Sequence, residues 1–131
     1  IHLNRYQNQN FANPNLALCN AVTNNNFVLA NFLLSHGSMV ANPNIAIFGH
    51  LPNIQDGTVP LLMAAWFGYR DIVQLLLQNG AKDVSTEGAM SNFGATVFVA
   101  AIKLAKQQGH GDIVVLIEHC SNQRLSKEMK V

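Results

Sequence analysis

Apolar residues in this chain gather into short runs separated by glycine and asparagine. The clearest pair of runs lies between Asp56 and Asp83, DGTVPLLMAAWFGYRDIVQLLLQNGAKD. Gly57 marks a turn, and Pro60 falls where the first turn of a helix tolerates a missing N–H, so a short helix is predicted from Leu61 to Trp66. Gly68 supplies the left-handed residue that ends it. From Asp71 onward, Ile72, Val73, Leu75, Leu76 and Leu77 form a wide apolar stripe, and Gly80 closes this second helix. Helices this short are marginal alone in water, so the unit must stack on copies of itself.

Two further segments carry the same pattern. Asn15 to Thr23 aligns on Thr58 to Trp66 at an offset of 43 residues, which places Ala21 on Ala64 and Asn25 on Gly68. Asn tolerates the left-handed conformation better than most residues, so Asn25 can close a helix as Gly68 does. Phe27, Leu29, Ala30, Phe32, Leu33 and Leu34 then make the second helix of this unit. Downstream, Gly94 to Ala101 aligns at an offset of 37 from Gly57, whereas Gly109 aligns with Gly68 at an offset of 41. The four extra residues are about one helical turn, so the first helix of the third unit, Ala95 to Gln108, is expected to run one turn longer while keeping its facing. Its second helix, Asp112 to Cys120, should turn Ile113, Val114, Leu116 and Ile117 inward. Arg124 to Val131 is expected to form a capping helix, and Ile1 to Asn13 an N-terminal cap or the tail of an earlier unit.

Gly57, Pro60, Leu61, Ala64, Ala65, Gly68, Asp71, Ile72, Val73, Leu75 to Leu77, Gly80 and Ala81 resemble the ankyrin repeat pattern G-x-T-P-L-H-x-A-A-x-x-G-x-x-[DE]-[IV]-V-x-L-L-L-x-x-G-A. Val59 stands where the family has Thr and Leu62 where it has His, so the polar link those side chains make between neighbouring repeats is expected to be missing. Thr96 keeps the threonine, but Val97, Phe98 and Val99 replace the Pro, Leu and His that follow it. The resemblance implies an all-α ankyrin-repeat solenoid of stacked helix-turn-helix units with long connecting fingers. Its repeats are 14–37, 57–81 and 94–121, with a cap at 122–131.

The family period is about 33 residues, so the larger offset leaves an insertion of roughly ten between Gly37 and Asp56. In the family this connection is a finger-like hairpin. Ile45, Ile47, Phe48 and Leu51 are too apolar for a merely solvated loop. The finger is therefore either folded back on the helices or held out for a partner, with Ile47 and Phe48 at its apolar tip.

The resemblance also implies a partner-binding concave side made by finger tips and the exposed ends of first helices. In the second repeat this names Gln55, Asp56 and Thr58 on the finger and Trp66 and Phe67 on the helix. In the first repeat it names Asn13, Asn15, Thr23 and Asn24, and in the third Asn92, Phe93, Ala95 and Lys103. Trp66 has two readings, a central binding anchor or a large ring packed under the finger.

Composition narrows the classes. A chain of 131 residues with 49% hydrophobic content is expected to form one domain. Its net charge of +1 gives no general attraction to nucleic acid or anionic membrane. Between Arg5 and Asp56 there is no charged residue, and asparagine is expected to do the solvating there. Cys19 and Cys120 form no disulfide framework and suit a reducing, cytoplasmic compartment. No apolar run reaches the ~18 residues of a membrane span. The chain begins at Ile1 without Met and is expected to be a fragment of a larger protein.

Candidate chemistry is sparse. His2, His36, His50, His110 and His119 include no pair at i, i+4, the spacing that sets two ligands on one helical face. His119 and Cys120 are adjacent in a helix and point about 100° apart. In G-H-G-D at Gly109 to Asp112, an acidic side chain occupies the helix N-terminus that a phosphate would need. The expectation is a monomeric protein-binding module with no catalysis, cofactor or metal, and with a protein partner in place of nucleic acid, membrane or small-molecule substrate. The alternative is a structural or regulatory part of a multidomain enzyme whose catalytic domain lies outside this chain.

Overall fold

The computed structural model describes residues 14–35, 41–47 and 57–129, and the side chains of all of these except 89 and 125–129. Among them are six α-helices: α1 (Pro14–Thr23), α2 (Phe27–Ser35), α3 (Pro60–Phe67), α4 (Arg70–Gln78), α5 (Val97–Gln107) and α6 (Gly111–Met129). A short 3-10 helix, Gly88–Asn92, lies in the connector before α5.

The helices form two layers. In the inner layer α3 packs between α1 and α5, and in the outer layer α4 packs between α2 and α6. Small residues make the inner layer possible, since Ala17, Ala21, Ala64, Ala65, Ala100, Ala101 and Ala105 are all buried and let neighbouring helices approach. Between the layers Leu61, Leu62, Ile72, Val73, Leu76, Ile113 and Ile117 are buried and join one core. α4 buries Ile72, Val73, Leu75, Leu76 and Leu77, the whole expected stripe.

The turns follow the predicted chemistry. Asn25 adopts φ 54° and ends α1, as Gly68 at φ 82° ends α3 and Gly109 at φ 78° follows α5. Gly57 at φ 89° also lies against the next connector, where a β-carbon would stand 2.0 Å from the Glu87 carbonyl oxygen. That backbone contact requires glycine. Each connector closes as a minimal hairpin at its base, with Ile47 bridging Thr58 and Ser85 bridging Thr96 in antiparallel fashion.

Three expectations change. Asparagine in the first connector does more than solvate. Asn44 accepts the Lys82 N–H at 2.7 Å and donates to the Gly80 carbonyl at 2.9 Å, so it ties its connector to the next one. Asn15 accepts the Asn42 N–H at 2.7 Å, and Asn26 accepts the Leu29 N–H at 3.1 Å as the cap of α2. A short amide side chain can replace a missing backbone partner without a charge to desolvate.

Second, the last helix does not stop at Cys120, because α6 runs unbroken from Gly111 to Met129 and includes the residues expected to form the cap. The segment contains no Gly or Pro after Gly111 that would end it. Third, α5 begins at Val97 and not at Ala95, but it spans 11 residues against 8 in α3, in keeping with the inserted turn.

Candidate partner-binding surface

The exposed end of the middle inner helix carries the largest aromatic group in the structure. Trp66 and Phe67 occupy the last turn of α3 and are 39% and 40% exposed. Gly68 stops the helix directly after them, its N–H donating to the Ala64 carbonyl. Phe67 stacks on Tyr69 with ring centroids 5.4 Å apart and planes 15° from parallel. The stack holds two rings at a helix terminus that would otherwise fray.

The long α5 reaches this terminus from the neighbouring unit. His110, in the turn after α5, places Nε2 3.2 Å from the Trp66 carbonyl oxygen. Its ring also lies where a β-carbon on Gly68 would stand, at 2.6 Å. The extra turn therefore brings a polar group to a helix end whose carbonyls lack intrahelical partners. Beside it, Arg70 Nε stands 4.0 Å from Asp112 Oδ2, a solvent-exposed pair of little energetic weight.

The remaining predicted site residues divide. Asn24 and Lys103 are exposed, on the turn after α1 and on α5. Phe93 is half-buried and packs against the core, so its ring supports the connector more than it presents a surface. Ile47 and Thr58 correct the expectation for the finger. They are 7% and 2% exposed, because the bridge between them folds this part of the connector onto the N-terminal end of α3. Neither has surface to offer a partner. Phe48, Gln55, Asp56 and Asn13 lie outside the described residues. Asn15 is half-buried and engaged with Asn42, and the Thr23 hydroxyl donates to the Cys19 carbonyl at 2.8 Å.

The geometry also separates what the sequence had joined. Thr58 precedes α3 and Trp66 sits in its last turn, so the finger base and the indole are about 12 Å apart along the helix axis. The sequence assigns Tyr69 no role, and it raises His110 only as a metal-ligand candidate, not as part of this surface. Tyr69 sits one residue past the closing glycine, and His110 follows directly from the inserted turn, which was the available signal for it.

Among the described residues no group of three or more His, Cys, Asp and Glu is placed to hold a metal ion. No helix among them is long and apolar enough to cross a membrane. Cys19 is buried in α1, which pushes its thiol up to about 12, and Cys120 is half-buried on α6.

The family profile described as Ankyrin repeats (3 copies) matches residues 2–87. The chain belongs to the ankyrin repeat family. No curated protein and no solved structure matches it. The ankyrin match ends before α5, yet α5 packs on α3 as α3 packs on α1, so the helical stack continues beyond the matched residues. Ankyrin repeats generally mediate protein–protein interaction and are generally non-catalytic.

Proposed function

We propose that this chain is a monomeric protein-binding module whose partner docks on the inner-helix surface, with Trp66 and Phe67 as its central anchors. Asn24 on the turn after α1 and Lys103 on α5, both exposed, flank them. The observation that carries this reading is the exposure of two adjacent large aromatic side chains, Trp66 at 39% and Phe67 at 40%, in the last turn of α3. Half-wet aromatic rings on a rigid element give large contact area at low entropic cost, as interface anchors do. Ile47 and Thr58 are left out because they are buried.

The test uses the chain's single tryptophan. Native fluorescence should be red-shifted and readily quenched by iodide, and Trp66→Ala should leave thermal stability nearly unchanged. In a pull-down the same variant should lose its partner, at a cost of about 2 kcal/mol or more in binding. A blue-shifted, protected signal with a stability loss of roughly 3–5 kcal/mol would make the indole structural and overturn the reading.

A second reading, a structural part of a multidomain enzyme, draws on a different surface. On the uncharged outer helix α2, Phe27 is 43% and Val28 79% exposed. Protection of α2 amides on going from this chain to the full-length protein, with Trp66 still open to iodide, would favour it.

A further inference from the structure

The inner helices α1, α3 and α5 contain no Asp or Glu, and their only charged residues are Lys103 and Lys106, both exposed on α5. Acidic residues sit on other elements: Asp112, beside the end of α3, stands 4.0 Å from Arg70 Nε, and Asp56 lies outside the described residues. Asp71 is on the outer helix α4, and Asp112, Glu118 and Glu128 are on α6. Asp83 is occupied in accepting the Phe98 N–H at 2.8 Å, and Glu87 belongs to the connector. The inner face thus has aromatic surface and positive charge side by side, with no carboxylate on its own helices.

Register sets their spacing. Pro60 and Val97 are each the first residue of their helix after an extended N-cap, and α3 and α5 pack side by side. Trp66 and Lys103 are the seventh residues of the two helices, so they rise from matching positions. Packed helices lie about 8–10 Å apart. An extended segment crossing from one to the other covers that distance in about three residues.

We propose that this face takes an extended protein segment in which a large apolar side chain, seated on Trp66 and Phe67, lies about three residues from an Asp or Glu that pairs with Lys103. Lys106, one turn farther along α5, reinforces the positive field. This rests on the protein-binding reading of the same surface. Affinity comes from the aromatic anchor, since an exposed ion pair contributes about 1 kcal/mol at most, while the lysine supplies selection and steering.

The experiment selects a display library of random peptides against the chain. The best peptide is then measured by fluorescence anisotropy with wild type, Lys103→Glu and Trp66→Ala, each verified as folded by circular dichroism. The selected peptides should share an apolar residue with an Asp or Glu about three positions away. Lys103→Glu should weaken binding about tenfold at low salt, with the gap narrowing as salt rises. Changing the peptide's acidic residue to Lys should weaken binding to wild type and restore it to Lys103→Glu. Enriched peptides with no acidic preference, bound equally by Lys103→Glu, would overturn this inference and leave the protein-binding reading standing. Acidic peptides indifferent to Trp66→Ala would also overturn it. No enrichment at all would count against both.

Discussion

Thr96 carries a side-chain hydroxyl that burial has stripped of partners. Its Oγ1 makes no hydrogen bond, and it does not cap α5, whose Phe98 N–H is taken by Asp83 instead. The residue where the ankyrin pattern has histidine is Val99, which can accept or donate nothing. In the preceding repeat the matching position is Val59, buried without difficulty. Thr96→Val should therefore raise stability by about 1 kcal/mol, read as a shift in the urea midpoint. A loss would show that the hydroxyl is satisfied in solution. Cys19 offers a second check at this scale. Burial moves its thiol from 9.0 to about 12, and only the thiolate reacts, so a thiol reagent at mildly alkaline pH should modify Cys120 and spare Cys19 until the chain unfolds. The folded state holds this proton more tightly than the unfolded one. Its contribution is thus complete below pH 9.0 and lost as pH climbs toward 12.

At the scale of elements, α5 shows what the inserted turn does. It was legible from two glycine offsets, and the helix is three residues longer than α3 by count. What the offsets did not reveal is that Leu104 and Ala105 in this turn are buried and that His110 lands on the Trp66 carbonyl. Deleting the four residues Lys103 to Lys106 restores the ankyrin length and facing, so the protein should still fold, but with a loss of roughly 2–5 kcal/mol for the missing leucine. Deleting Lys103 and Leu104 alone should be worse, because it rotates the rest of the helix by about 200°. Thermal melts of the two deletions check this, and equal stability would remove the case for an inserted turn. The continuity of α6 is the element that reading missed. A change from apolar to charged composition near residue 121 suggested a boundary, but composition does not end a helix, and no Gly or Pro is present to do so.

At the scale of the whole molecule, that continuity ties the third repeat to the second. Beyond residue 121 the helix carries Arg124 back to the preceding repeat, where Nη1 donates to the Ala81 carbonyl at 2.7 Å and Nη2 to the Leu77 carbonyl at 3.2 Å. The guanidinium also lies over the Phe98 ring at 5.6 Å. One side chain thus caps the end of α4, covers the start of α5 and belongs to α6. Solenoid stability is largely a sum of contacts between neighbouring repeats, so loss of this clamp should be felt throughout the stack. Arg124→Ala is expected to lower unfolding free energy by about 2 kcal/mol. Arg124→Lys should recover only part of it, because a lysine cannot fork to two carbonyls and stack at once. Denaturant unfolding followed by far-UV circular dichroism measures both, and a silent Arg124→Ala would sink the clamp.

By itself the sequence determined the repeat, because glycine, proline and alanine at the ankyrin spacing act through local backbone geometry. Left-handed φ at Asn25 and Gly68, proline in a first turn and small residues between inner helices are all decided within a few residues of the chain. It likewise set Trp66 and Lys103 at matching positions of their helices, but it left open whether the indole is exposed or packed under the finger, which only the structure answers. Tertiary structure decided the rest. Ile47 and Thr58 went inward where a bridge pairs the two ends of their connector, and hydrophobicity alone cannot say whether a loop residue faces a partner or its own core. Asn44, Asp83, His110 and Arg124 each complete a helix end or connector in another repeat. Such bonds depend on which unsatisfied backbone groups the stack brings near a side chain, and that is set only when the repeats pack.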